Sequence, residues 1–277
     1  MLLKMICVIF VINAFISITK AIEISELNET RIFLSINSQL SELRSEQERQ
    51  GKLMDGLVKD SDKYNLRSYP RSCAEVKKSG ISDILLPNYS NQPFKVTCDA
   101  ETHEGGWTII LRRMDGSVDF HRSWNIYKKG FGDLDGEFFL GLEKIHALTA
   151  ERSQELLVLL GDYQGNSSYE AYEKFAIGGE EELFALRTLG KASGDAGDSL
   201  RKHHGMQFST YDRDNDREPN KHCAEFYTAA WWYRGCHDSN LAGVYNTNTT
   251  GRGINWRSFR GVEYSLKSAV MLIRPRK

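Results

Sequence analysis

The character of the chain changes at Pro70, and the change divides it into two separate folding problems. Between Ile22 and Leu66 there is no proline and no cysteine, glycine occurs only at Gly51 and Gly56, and acidic and basic side chains alternate. Apolar or neutral residues recur at Phe33, Ile36, Leu40, Leu43, Gln47, Gln50, Met54 and Leu57. That 3-4 spacing lays one stripe along a helix and covers about four heptads. Two consecutive glutamines soften the seam, and polar seam residues specify partners at some cost in stability. Residues 22–66 therefore predict a short coiled coil that joins copies of the chain into a homo-oligomer. The alternative is a lone amphipathic helix or a partly disordered stalk. Residues 67–72, with Pro70, break the pattern and form a linker.

From Cys73 to Lys277 glycines and aromatics become frequent and turn signals crowd together. Short strand-like runs occur at Trp107–Leu111, Leu156–Leu160 and Ala269–Ile273, and Leu142–Thr149 reads as a helix. Strands and helices do not alternate regularly, so the expected class is α+β with much irregular loop. There is no internal repeat and no Gly-x-y run. With a formal net charge of −1 and no basic run, the chain has no electrostatic basis for binding nucleic acid.

Residues 1–21 read as a cleavable secretory signal. Lys4 supplies the positive start, Met5–Ile18 is apolar except for Asn13 and Ser17, and Thr19 and Ala21 give the small-residue cleavage pattern. The apolar run falls short of the roughly 20 residues that a spanning helix needs. The expected product is secreted and extracellular, without membrane insertion. Removal of Cys7 leaves Cys73, Cys98, Cys223 and Cys236, an even number suited to an oxidising compartment. Three connectivities are open, and proximity favours Cys73–Cys98 and Cys223–Cys236. Sequons at Asn28, Asn88, Asn166 and Asn248 permit glycosylation.

The densest chemistry runs from Tyr211 to Asn240. Asp212, Asp214 and Asp216 alternate, so they can project to one side of an extended segment and converge on a hard cation. An EF-hand is excluded, because its sixth position would be Arg217 and its twelfth Cys223. Cys223 and Cys236 then bracket Phe226, Tyr227, Trp231, Trp232 and Tyr233. The adjacent indoles are expected to be packed structure, and other rings could wall a small-ligand pocket. His237-Asp238 has no accompanying nucleophile. Gly197-Asp198-Ser199-Leu200 spells a hydrolase tetrapeptide, but no apolar strand leads into it and no Asp-x-x-His follows. Catalysis is not expected.

Cys73–Pro275 resembles the fibrinogen C-terminal domain along its whole length. The landmarks are GGWTIILRRMDGSVDFHRSW (105–124), GFGDLDGEFFLGLEKIHALT (130–149), AGDSLRKHHGMQFSTYD (196–212), AAWWYRGCHDSNLAGVY (229–245) and GINW (253–256), in the family's order and at about its spacing. The resemblance implies the proximity pairing of the cysteines and a Ca²⁺ site with carboxylates from Asp214 and Asp216. It also implies two backbone carbonyls near Glu218 and Asn220, although the interval from Asp212 to Cys223 is one residue longer than the family's and contains Pro219. In acetyl-binding lectins of this family a cis peptide precedes the second cysteine of the loop, here Gly235–Cys236. Tyr227, Cys236 and His237 match the pocket positions, while Thr250 stands where ficolins carry a tyrosine, in a loop about three residues shorter. The function implied is a secreted calcium-dependent lectin that binds acetylated or related glycans. The alternative is a signalling or matrix ligand that binds a cell-surface receptor.

Overall fold

The structure, a computed structural model, describes the backbone of residues 2–276 and the side chains of residues 14–56 and 69–276. The chain separates into two compact units, Met1–Asn65 and Leu66–Lys277.

The first unit is a continuous helix, α1 (Leu2–Ser68), which begins within the predicted leader and runs across Gly51 and Gly56. Leu, Glu, Gln, Lys and Arg carry its second half with little entropic penalty, outweighing the two glycines. The helix stops short of Pro70, whose ring disfavours helical backbone at the preceding Tyr69. Of the predicted seam, Phe33, Ile36, Leu40, Leu43 and Met54 are 47–66% exposed. The side chain of Leu57 and most of the predicted leader lie outside the described residues. Among the described residues no helix is long and apolar enough to cross a membrane.

The second unit is built on an antiparallel sheet of ten strands among the described residues. Its strands are β1 (Gly80–Ile84), β2 (Phe94–Asp99), β3 (Trp107–Arg113), β4 (Phe131–Gly132), β5 (Phe138–Phe139), β6 (Gln154–Gly161), β7 (Ser167–Ile177), β8 (Leu186–Leu189), β9 (Ala192–Gly194) and, at the chain's end, β12 (Ser268–Pro275). The main path runs β1-β2-β3-β12-β6-β7-β8. The last strand is therefore central: Leu272 pairs with Ile109 on one side and Leu157 on the other. Such a strand must be apolar on both faces, and Ala269, Met271, Leu272 and Ile273 are all buried. Helix α2 (Trp124–Lys129) and α3 (Leu142–Glu151) complete this layer; α3 buries Leu142, Ile145 and Leu148. The three strands and the helix expected from sequence are present, each extended by a few residues.

The region after His204 is mostly loop, with the short helices α4 (Cys223–Phe226) and α5 (Arg257–Arg260) and the two-residue pair β10 (Ser239–Asn240) and β11 (Asn255–Trp256). A buried ion pair ties it to the sheet. Arg113 and Glu137 are at most 1% exposed, with Nε and Oε1 3.4 Å apart. Glu137 accepts the N–H groups of Met114, Asp115 and Val118. Arg113 donates Nη1 to the carbonyls of Leu241 and Gly243. Such a pair is tolerated in the interior only when its remaining hydrogen-bonding capacity is largely used, and this one uses it to fasten two loops to the end of β3. Within the expected linker, Pro70 accepts the Leu85 N–H and Ser72 is buried, so the globular packing begins earlier than Cys73.

Candidate functional site

The three alternating carboxylates do not act together. Asp212 turns away: its Oδ1 accepts the Trp124 N–H at 2.8 Å and the Thr210 hydroxyl at 2.7 Å, so it anchors the start of α2. This corrects the three-fold convergence expected from spacing: Asp212 is held by the Trp124 N–H on α2 and by the Thr210 hydroxyl of its own loop, and it is not among the residues that converge. Asp214 and Asp216 do converge, and His222 joins them, with one ligand atom from each residue within 4.8 Å of the others. His222 Nδ1 lies 3.9 Å from Asp214 Oδ1.

The cluster has the electrostatics of a cation site. Burial, reinforced by the neighbouring Asp214 carboxylate, holds the Asp216 carboxyl above the usual carboxylate range. Two acids so close repel until a proton or a cation lies between them. Both ring nitrogens of His222 are buried without a hydrogen-bond partner. Asp216 also orders the loop behind it, accepting the Glu218 N–H at 2.7 Å and the Cys223 N–H at 2.8 Å. No N–H of the described chain donates to the carbonyls of Glu218 or Asn220. The two converging carboxylates fit a hard cation, since carboxylate oxygens are donors that Ca²⁺ takes.

Immediately after this turn the Cys223–Cys236 disulfide closes the aromatic loop, and Cys73–Cys98 closes the other pair. Trp231, Trp232 and Tyr233 are fully buried; Trp232 donates to the Phe184 carbonyl at 2.8 Å and Tyr233 to Asn240 Oδ1 at 3.0 Å. The two indoles are packed structure, as expected, and Tyr233 is buried with them. The Gly235–Cys236 peptide is trans, since the described residues contain no cis peptide bond. That corrects the cis bond implied by resemblance: the reversal is made instead by Cys236 itself, with φ of 41° in the left-handed region.

His203, a residue that sequence reasoning did not select, sets the geometry of this loop. It is fully buried. Its Nδ1 donates to the Trp232 carbonyl at 2.7 Å, which leaves Nε2 to accept the N–H groups of Asp238 and Ser239, each at 3.2 Å. One neutral imidazole thus clamps both ends of the segment that carries Cys236 and His237. A second proton would face two N–H donors, and burial pushes the His203 pKa down to about 3.

Within the clamp, the Tyr227 and His237 rings meet edge to face at 4.6 Å, and Phe226 packs on Tyr227 at 4.9 Å. His237 is buried and its pKa is lowered to about 4 by that burial. Neither the Cys236 nor the His237 backbone N–H is taken by an acceptor in the described chain. Phe226 is 48% exposed, with Lys221 Nζ 4.7 Å from its ring centre and the Arg252 guanidinium 5.7 Å away. Thr250 sits exposed on the loop. Its neighbour Gly251 makes the close approach: a Cβ there would lie 2.5 Å from Tyr227 Cε1 and 3.4 Å from His237 Cε1, and its φ is +76°. Sequence reasoning passed over Gly251, although the Thr-Gly step was its visible signal.

The other decoys resolve plainly. Ser199 is buried and shares a hydrogen bond with Ser258 at 2.8 Å, which leaves it unavailable as a nucleophile. All four sequon asparagines are exposed; Asn88 donates to Glu151 and Asn166 to Asp162 through their side-chain amides.

Comparison with known proteins identifies the family. Residues 69–276 match the family of fibrinogen beta and gamma chains, C-terminal globular domain. Fibrinogen C domain-containing protein 1 of Mus musculus is 46% identical over 215 residues, covering 73% of this chain and 46% of that protein. The chain thus spans about half the length of this relative. Among solved structures, the fibrinogen-like globe domain of human ANGPTL2 superposes with a TM-score of 0.72 at 42% identity, over 75% of this chain and 100% of that domain. Lamprey fibrin D-dimer, complexed with the peptide ligand Gly-His-Arg-Pro-amide, gives a TM-score of 0.70 at 30% identity, over 94% and 95%.

Proposed function

Because the chain belongs to the fibrinogen C-terminal domain family, we propose that it is a secreted, calcium-dependent lectin for acetylated or related glycans, joined into oligomers by its N-terminal helix. One observation carries the reading: the untaken Cys236 and His237 N–H groups lie on the disulfide loop where Tyr227 and His237 meet. A ligand carbonyl would accept from those donors while its methyl group packs on the Tyr227 ring. Small-molecule sites combine a few fixed polar groups with apolar walls in this way. The disulfide and His203 hold the donors in place before a ligand arrives, which lowers the entropic cost of binding.

Asp214 and Asp216 would hold Ca²⁺, with the carbonyls of Glu218 and Asn220 completing the shell. The ion would neutralise the paired carboxylates and fix the turn that leads into Cys223. One shallow site binds weakly, and several sites on one oligomer raise the overall strength through effective concentration. The signal, the four disulfide-bonded cysteines and the sequons support secretion. Nothing in the loop supports an enzyme: the family is one of ligand-binding domains, and the candidate serine is buried against Ser258.

A second reading has its own support. The domain also resembles that of ANGPTL2, and Thr250 presents no aromatic wall to an acetyl group. On this reading the same face binds a cell-surface protein receptor. A glycan array probed with the oligomer, with and without a calcium chelator, separates the two. Calcium-dependent signal on acetylated glycans supports the lectin, whereas a blank array combined with calcium-dependent binding to cells transfers the face to a receptor.

A further inference from the structure

A cavity of about 170 Å³ lies between the β1–β2 connection and the second half of α3, lined by Leu86, Tyr89, His146, Ala147, Ala150 and Glu151, together with Asn88. We infer that the first N-acetylglucosamine of an N-linked glycan on Asn88 packs into this cavity and ties the connection to the helix. The inference rests on the secretion part of the proposed function, because a sequon is used in a secreted chain. It does not depend on the lectin reading.

Three observations lead there. First, the acceptor is presented for attachment. Asn88-Tyr89-Ser90 is a sequon, and it sits on a turn over Pro87–Tyr89. The Tyr89 and Ser90 N–H groups both donate to the Leu86 carbonyl, at 2.9 and 3.0 Å. Proline suits the second position of such a turn, and Asn88 stands exposed at the third.

Second, the attachment atom already faces the cavity. Asn88 Nδ2 donates to Glu151 Oε2 at 3.1 Å, and Glu151 is a lining residue. Nδ2 is the atom that carries the sugar, and a glycosylated amide keeps one N–H for the same contact. The other Glu151 oxygen holds Arg71 at 3.2 Å, so the carboxylate is tied from both sides. Of the four sequon asparagines only Asn88 lines this cavity.

Third, the lining suits one neutral sugar and is within reach of it. The volume lies below the roughly 300 Å³ at which sites for drug-sized ligands begin. Tyr89 and Ala150 are exposed, His146 and Ala147 are half-buried, and buried Leu86 adds apolar wall. The Tyr89 ring is held edge to face by Phe94 at 5.6 Å, which leaves it a fixed surface for a pyranose to pack on. His146 Nδ1 donates to the Ile177 carbonyl at 3.0 Å, so Nε2 is the nitrogen that accepts from a sugar hydroxyl.

The test compares the secreted full chain with Ser90→Ala, which removes the sequon and keeps Asn88. Mass spectrometry of the wild type should find sugar on Asn88. The wild type should melt about 2–4 °C above Ser90→Ala, the shift that one modest set of contacts gives a domain of this size. Trimming the glycan to its first sugar with an endoglycosidase should preserve that difference, because only that sugar enters the cavity. Ala150→Trp fills the cavity from an exposed position, and adding Ser90→Ala to it should move the melting temperature by less than about 1 °C. Ser90 Oγ also accepts the Gln92 N–H, so the pair is melted again after production without glycosylation, where the two should agree within about 1 °C. A bare Asn88 on a chain whose other sequons carry sugar would overturn the inference and leave secretion standing. So would an occupied wild type that melts with Ser90→Ala, a difference lost on trimming, or one that survives in Ala150→Trp or without glycosylation. A chain kept inside the cell with no sugar at any sequon sinks the secretion reading and the inference together.

Discussion

Acidification should unfold this domain from its histidine clamp. His203 and His237 are buried, and burial lowers their pKa values from 6.5 to about 3 and about 4. The unfolded chain therefore binds protons that the folded chain refuses, and stability falls as pH drops below the unfolded value. Between about pH 7 and about pH 5 the loss works out at about 2 kcal/mol for each histidine, from the linkage relation. Together they approach a third of the stability of a typical domain. The structure supplies the reason His203 cannot adapt: its Nε2 faces the Asp238 and Ser239 N–H groups, and Lys202 lowers its pKa further. Urea denaturation at the two pH values, with calcium chelated throughout, measures the loss. His203→Asn should cost about 1–3 kcal/mol near pH 7, because buried partners are left unsatisfied. It should also remove about half of the pH-dependent drop. Identical stability at both pH values, or a variant that retains the whole drop, would refute the clamp.

Calcium should raise the melting temperature by mass action, and the Asp214→Ala, Asp216→Ala double variant should lose that rise. His222→Ala should keep most of the calcium response, since calcium prefers oxygen ligands, while weakening any zinc response that depends on the imidazole. Gly251→Ala places a Cβ against Tyr227 at a φ of +76° and should cost about 1–3 kcal/mol together with glycan binding, read by denaturation and bead retention. Light scattering on the full-length chain should give a multiple of the protomer mass, and on a chain starting at Arg71 the protomer mass; equal protomer masses for both would leave α1 as a tether only.

The longest strand, Ser167–Ile177, mixes polar and apolar residues and left no clear signal, but three others were legible as largely apolar runs: Trp107–Arg113, Gln154–Gly161 and Ser268–Pro275. What composition could not reveal was that the last of these is the central strand, since that order depends on pairing between distant segments. The two-residue strands of the loop region leave no periodic signal at all. At the site, spacing offered Asp212, Asp214 and Asp216 alike and the resemblance selected the last two, while Asp212 serves Trp124 instead. His222 enters the cluster because the loop folds back after Pro219, which no local pattern encodes. His203 was hidden for a deeper reason: its partners are backbone groups 29 to 36 residues away, and backbone groups have no letter in a sequence. Gly251 was displaced by its neighbour Thr250, because comparison with a tyrosine directs attention to side chains, while the chain here approaches Tyr227 through the absence of one.

The central claim is that Tyr227 and the loop donors recognise an acetyl group in a calcium-dependent manner, and one measurement reaches it directly. Full-length wild type and Tyr227→Ala are passed over acetylated beads in calcium, eluted with chelator, and melted in parallel with and without calcium. The account predicts that the wild type is retained and released by chelator. It predicts that Tyr227→Ala flows through while keeping the full calcium-dependent melting shift, so the loss lies in recognition and not in folding. Retention of Tyr227→Ala equal to the wild type, or wild-type retention that persists in chelator, would contradict it.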